Sequence, residues 1–220
     1  MPELRVEFHR RLSALEDELL GMGEDVLTML DTAMVALANG DVDAAATLAE
    51  ADDRLDERYR AFAEEVLTVL TLESPVASEL RLLVAFIHCS SHLERMGDLC
   101  ENIGNAARLV ADAPADPELR AQLAEMGVHA NRVITRALEA LARRDLDLVA
   151  TLDTLDEPLD RLNRGLFTRL VQLAAEDEEH LDWAMRMVLV ARFFERLGDH
   201  AVDIGAQTRF IVTGQADTPS

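Results

Sequence analysis

Residues 92–104 read HLERMGDLCENIG, and residues 193–205 read FFERLGDHAVDIG. Both carry Glu-Arg-x-Gly-Asp, apolar residues at helical spacing, and a glycine closing the stretch. Each sets a glutamate and an aspartate one helical turn apart: Glu94 with Asp98, and Glu195 with Asp199. Acids at i and i+4 are ordinarily the solvated face of an amphipathic helix. Acids that recur inside a copied segment raise a sharper question, which is whether they point inward.

The copy extends outward from these stretches. GMGEDVLTMLDTAMVALANGDVD from Gly21 matches EMGVHANRVITRALEALARRDLD from Glu125, and LAEADDRLDERY from Leu48 matches LDTLDEPLDRLN from Leu152. Apolar residues recur at helical spacing almost throughout, and no strand-like alternation competes. Breaks fall at residues 38–41, 72–77, 111–118, 142–145 and 174–180, so six helices are predicted. Ser74-Pro75 and Asp116-Pro117 each offer a capping side chain followed by proline at the first helical position. The longest polar, proline-containing break is the central one. Dividing the chain there predicts an all-α protein of two tandem, pseudo-repeated three-helix bundles, residues 1–112 and 117–214, with a frayed tail over 215–220.

Composition narrows the function classes. The 220-residue chain is 49% hydrophobic with few glycines, prolines and aromatics, as suits a helical domain with a real core. Its formal charge of -21 repels a phosphate backbone and an anionic lipid surface alike. Nucleic acid is therefore excluded as a partner. No lysine is present, which removes Schiff-base and lysine-nucleophile chemistry. The N-terminus lacks the apolar stretch of a signal peptide, and no apolar run is long enough to insert in a membrane. Cys89 and Cys100 stand eleven residues apart on one predicted helix, roughly 16 Å of rise and too far for a disulfide. A reduced, cytoplasmic protein is expected. A homodimer is compatible with the sequence.

Helical geometry gives the acids a direction. Stepping by four and three along the second helix of the first half gives Leu48, Asp52, Leu55, Tyr59, Phe62, Val66 and Val69, a core seam with an aspartate in it. The second half repeats it as Leu152, Asp156, Leu159, Asn163, Leu166, Leu170 and Leu173. Asp56 and Asp160 follow one turn later on the flank, while Asp53, Glu57 and Glu157 fall on the outer side. On the third helix Leu80, Leu83, Ile87 and Asp98 lie within roughly 40° of Glu94, at about 100° per residue. Leu181, Ala184, Val188 and Ala191 align with Glu195 and Asp199 in the same way. Asn102 and Asp203, one turn further, stand at the edge of that face.

Each half thus aims four carboxylates at one interhelical seam. Left unpaired in a low-dielectric site, they repel one another at a cost of several kcal/mol per charge. Protonation, arginine pairing or a bound cation would relieve this. Arg95 and Arg196 follow their glutamates directly and so point about 100° away, which makes them poor neutralisers. A cation is the simpler solution, and oxygen ligands suit Mg²⁺, Ca²⁺, Mn²⁺ or iron, and can hold Zn²⁺.

Other candidates weigh less. His88 and His92 sit at i, i+4 but roughly 120–160° from Glu94, so they read as packing or surface residues. His200, beside Asp199, has no counterpart in the first half and reads as peripheral. Gly97 and Gly198 fit close helix packing, room beside an ion, or both. Trp183 and Tyr59 read as core or rim aromatics. A ferritin-like diiron site needs Glu-x-x-His, and none of the six histidines has a glutamate three residues before it. No nucleophile elbow or phosphate-cradling loop is present.

Tandem three-helix bundles, Glu-Arg-x-Gly-Asp in both third helices and Asp-x-x-x-Asp in both second helices resemble the PhoU family of phosphate-signalling regulators. SPVASELRLLVAFIHCSSHLERMGDLCENI and the closing ERLGDHAVDIGAQTRFIVTG carry the same resemblance, which covers essentially the whole chain. It implies a cytosolic helical protein that negatively regulates phosphate-specific ABC transport and the phosphate-starvation two-component response. The implied partners are the ATPase subunit of the phosphate ABC transporter and a phosphate-sensing histidine kinase. The implied cofactors are metal ions, as multinuclear iron or zinc, with Mg²⁺ or Mn²⁺ as further options. Carried over, the ligands are Asp52, Asp56, Glu94 and Asp98 in the first half, and Asp156, Asp160, Glu195 and Asp199 in the second. Asn102 and Asp203 are additional contacts, and their difference predicts two sites of unequal charge. No catalysis is expected. The rival classes are a carboxylate-bridged metal enzyme and a metal-free acidic helical scaffold.

Overall fold

The computed structural model describes residues 2–215, so most of the tail expected over 215–220 lies outside the described residues. Six long helices carry the chain: α1 (Pro2–Asn39), α2 (Val42–Glu73), α3 (Ala77–Leu109), α4 (Pro117–Arg143), α6 (Leu152–Glu176) and α7 (Leu181–Thr213). Two short turns join the last three, the single-turn α5 (Leu146–Val149) and a 3-10 turn over Glu178–His180. No strand occurs among the described residues.

The helix ends follow from local chemistry. Gly40 takes a left-handed φ of 62°, and Asp41 then caps α2 by accepting the Ala44 N–H at 2.9 Å. The matching turn in the second half puts Arg144 into the same conformation at φ 54°, with Asp145 accepting from Asp147 and Leu148. Asp116 caps α4 as expected, accepting from Leu119 at 2.8 Å with Pro117 just inside. Ser74 does not cap α3. It ends α2 in the left-handed region at φ 46°, because a proline disfavours the right-handed helical conformation at the residue before it. Val76 is the N-cap instead, its N–H donating to Glu79 Oε2 at 2.9 Å.

Packing turns the six long helices into two three-helix bundles joined side by side. α1, α2 and α3 contact one another, as do α4, α6 and α7; α3 lies along α7, and α1 touches α4. The halves therefore share one continuous apolar core, to which Phe8, Phe62 and Phe86 contribute from the first half and Trp183, Phe194 and Ile204 from the second. Each such side chain stabilises the fold by about 1.5–3 kcal/mol on burial. The seam aspartates sit among buried residues as expected, since Leu48, Leu55, Phe62, Leu152, Leu159 and Leu166 are all in the core. Of the stripe leading to the acids, Leu83, Ala184 and Ala191 are buried and Ile87 and Val188 partly so, but Leu80 and Leu181 are each 44% exposed. Both stand in the first turn of their helices.

Candidate metal centres

At each second-to-third-helix seam an aspartate meets a glycine. A Cβ on Gly97 would lie 2.9 Å from Asp52 Oδ1 and 2.6 Å from Leu55 Cδ2. On Gly198 it would lie 2.0 Å from Asp156 Oδ1 and 2.8 Å from Leu159 Cδ1. Absence of a side chain is what lets each aspartate settle against the third helix between its glutamate and its aspartate. Close packing and room for the carboxylate are thus one and the same feature.

In the first half α2 supplies Asp52 and Asp56, and α3 supplies Glu94 and Asp98. Burial first, then the charges of Asp98, Glu101, Asp56 and Glu94, push the Asp52 carboxyl up to about 7. Burial and Asp98 also raise Glu94, against the opposing pull of Arg95 and Arg60. Glu101 is a member that sequence reasoning missed. It stands seven residues after Glu94, two turns along the same face, and that spacing could have found it. Asn102 is exposed and turns back, its amide donating to the Asp98 carbonyl at 2.7 Å.

The second half is the more enclosed. Burial first, then Asp199, Asp160, Glu195 and Asp153, raise Asp156 to about 7. Glu195 is 7% exposed and is likewise raised by burial and Asp199, against Arg192. Asp199 is raised by burial too, though its side chain reaches the surface. Asp156 Oδ1 and Glu195 Oε2 are buried with no hydrogen-bond partner. A cleft of about 570 Å³ opens beside Asp156 and Asp199, lined also by Asp153, Glu157, Asp160 and Asp203. Asp153 and Glu157, from the exposed side of α6, reach its rim.

Arginines take a larger part than the helical angle predicts. Arg95 bends back to Glu94 at 3.5 Å and Asp98 at 3.4 Å, its flexible stem spanning the turn that separates their backbones. Arg60 pairs with Asp56 at 2.8 Å, Arg164 approaches Asp160 at 3.8 Å, and Arg192 pairs with Glu195. Arginine neutralises the flanks. Asp52 and Asp156, at the centre of each cluster, have no arginine partner among the described residues.

The histidines also depart from expectation. His92 on α3 and His200 on α7 meet across the join between halves, Nδ1 to Nδ1 at 3.1 Å, with Asp203 Oδ2 3.7 Å from His92 Nδ1. Burial lowers the affinity of both rings for a proton, that of His200 to about 4. His200 is thus neither peripheral nor solvated, and Asp203 faces the histidines as well as the acidic cleft. Among the described residues these three form the one trio whose ligand atoms all lie within 4.8 Å of one another. The carboxylates of the two clusters are spread more widely, as expected of like charges left to repel.

The donor set of each cluster is all oxygen, with two orphaned buried oxygens in the second. That chemistry fits a hard or borderline cation. No helix among the described residues is long and apolar enough to cross a membrane.

Comparison with known proteins agrees with this architecture. The PhoU domain model matches residues 19–107 and again residues 123–208. The chain is 28% identical over 208 residues to the phosphate-specific transport system accessory protein PhoU homolog of Pseudomonas aeruginosa, covering 94% of this chain and 86% of that one. It is 30% identical over 218 residues to the protein of the same description from Synechocystis sp., covering 97% and 94%. The crystal structure of PhoU from Pseudomonas aeruginosa superposes with a TM-score of 0.90 at 28% identity, over 94% of this chain and all of that chain. PhoU from Streptococcus pneumoniae superposes with a TM-score of 0.88 over 96% of this chain, a likeness of fold at 24% identity.

Proposed function

The chain belongs to the PhoU family, and from that premise we propose that it is a regulatory accessory protein of phosphate transport, acting by protein contact in the cytoplasm rather than by catalysis. Support comes from the relatives described as accessory proteins of phosphate-specific transport, which match nearly end to end. The proposed partners are the ATPase subunit of the phosphate ABC transporter and a phosphate-sensing histidine kinase, with restraint of uptake and of the starvation response as the outcome.

The proposal extends to the clusters. Asp52, Asp56, Glu94 and Asp98 would hold metal in the first half, and Asp156, Asp160, Glu195 and Asp199 in the second. Glu101 and Asp203 contribute further charge. Bound ions supply positive charge that neutralises carboxylates the arginines do not reach. Iron or zinc in a multinuclear arrangement suits clusters spread beyond the reach of one ion, and Mg²⁺ or Mn²⁺ suits the same oxygens. The observation that carries this is Asp156, lodged against Gly198 beside a buried glutamate with one oxygen of each unpartnered. A neutralised seam fixes α2 on α3 and α6 on α7, which presents one rigid surface to a partner.

Capture from lysate with the tagged, metal-loaded full chain tests the reading. It predicts recovery of transporter ATPase or kinase components, weakened after chelation, with no turnover of phosphate esters. Turnover without capture would favour a metal enzyme; capture indifferent to chelation would favour a metal-free scaffold.

A further inference from the structure

We propose that His92, His200 and Asp203 form a third metal site, one that takes a single divalent ion of the zinc type at the join between the two halves. The donor set differs in kind from the carboxylate clusters: two imidazole nitrogens and one carboxylate oxygen, which select Zn²⁺, Co²⁺, Ni²⁺ or Cu²⁺ over Mg²⁺ and Ca²⁺. Its standing does not depend on the carboxylate clusters holding anything.

The geometry is close to assembled. His92 Nδ1 and His200 Nδ1 are 3.1 Å apart, and Asp203 Oδ2 is 3.7 Å from His92 Nδ1. Two ligands each about 2.0–2.2 Å from one Zn²⁺ can stand that far apart. His200 and Asp203 sit three residues apart on α7, on neighbouring turns, and His92 arrives from α3. His92 keeps 22% side-chain exposure and Asp203 keeps 55%, so an ion has a way in and a solvent-facing position stays open for a fourth ligand.

A shared proton does not account for the trio. Two neutral rings meeting through Nδ1 have one proton between them, and that hydrogen bond gives no role to the Asp203 carboxylate, which stands 3.7 Å from His92 Nδ1. The arrangement is also one-sided. In the register that sets Glu94 against Glu195, His92 corresponds to Phe193 and His200 to Leu99. The other half holds apolar side chains at these positions, so the histidines are not demanded by the shared fold.

That correspondence supplies the variant. Zn²⁺ and Co²⁺ are titrated into the full chain and into the His92→Phe/His200→Leu protein, which carries the residues of the opposite half. Wild type is expected to bind one more equivalent than the variant, with visible Co²⁺ bands that the variant lacks. Replacing one histidine alone should weaken that equivalent by at least the roughly 10–100-fold that loss of even an outer-shell partner costs at metal sites. Equal uptake and equal spectra in a helical variant would overturn the site. Should the variant fail to fold, ring ¹⁵N shifts of the wild-type protein decide: Zn²⁺ should move Nδ1 of His92 and His200 where Mg²⁺ does not. Rings unmoved at Zn²⁺ saturation would leave only a histidine hydrogen bond.

Discussion

Asp156 occupies the space that a side chain on Gly198 would need: its Oδ1 lies 2.0 Å from where the Cβ would stand. The first half repeats the relationship between Asp52 and Gly97 at 2.9 Å. One carboxylate in each half is thereby pressed onto the third helix between two other acids, and the glycine decides whether it fits.

Gly198→Ala must displace both Asp156 and Leu159, and is expected to destabilise the protein by about 1–3 kcal/mol as an overpacked core does. Gly165, on the same pair of helices, meets nothing within 4 Å. Gly165→Ala should therefore stabilise by about 0.5–1 kcal/mol through helix propensity. Urea denaturation compares the two. Equal effects would mean that the glycine at the acid pair is incidental.

The pH dependence of the chelated protein follows from Asp52 and Asp156, both raised from 3.8 to about 7. Between about pH 4 and pH 7 the folded chain retains protons that the unfolded chain has released. Stability therefore falls as pH rises through this window and levels above it. Asp52→Asn/Asp156→Asn should flatten that slope and raise the melting temperature at pH 8. A wild-type melting temperature that climbs from pH 5 to pH 8, or a variant with the same slope, would contradict the assignment of these two groups.

Arg144 holds a left-handed conformation where the first half has Gly40. Its guanidinium pairs with Glu16 at 2.8 Å and lies 5.7 Å from the centroid of the Phe86 ring, tying the second half to α1 and α3. Arg144→Ala loses those contacts and keeps the backbone strain, whereas Arg144→Gly loses them and relieves it, a difference of about 1–2 kcal/mol. Thermal unfolding should rank wild type above Gly and Gly above Ala. Alanine equal to glycine would show that the turn carries no strain.

Much of this was legible in the sequence because a duplication states each feature twice. The second helices could be phased from Leu48 to Val69 and from Leu152 to Leu173, and the aspartates fell inside both stripes. The Glu-Arg-x-Gly-Asp repeats gave the third helices, and Asp116-Pro117 gave one start. Local rules failed where a neighbour decides. Ser74 ends a helix instead of opening one, and Leu80 and Leu181 stay exposed in the first turns of their helices. Arg95 reaches acids that its backbone direction points away from. His92 and His200 share no helical spacing at all; they meet because α3 and α7 dock in one particular register, which neither helix states alone. The family itself came from motif resemblance, and the domain match over both halves then established it.

The most direct measurement is the metal content of the purified full chain, beside that of Asp98→Ala/Asp199→Ala, both carrying His92→Phe/His200→Leu so that only the carboxylate clusters count. After exposure to iron, zinc, manganese and magnesium, the parent should retain ions in fixed proportion to protein. The aspartate variant should lose most of them while keeping its helical circular dichroism. A parent that retains no metal, or a helical variant that retains as much as the parent, would contradict the claim that the inward carboxylates hold cations.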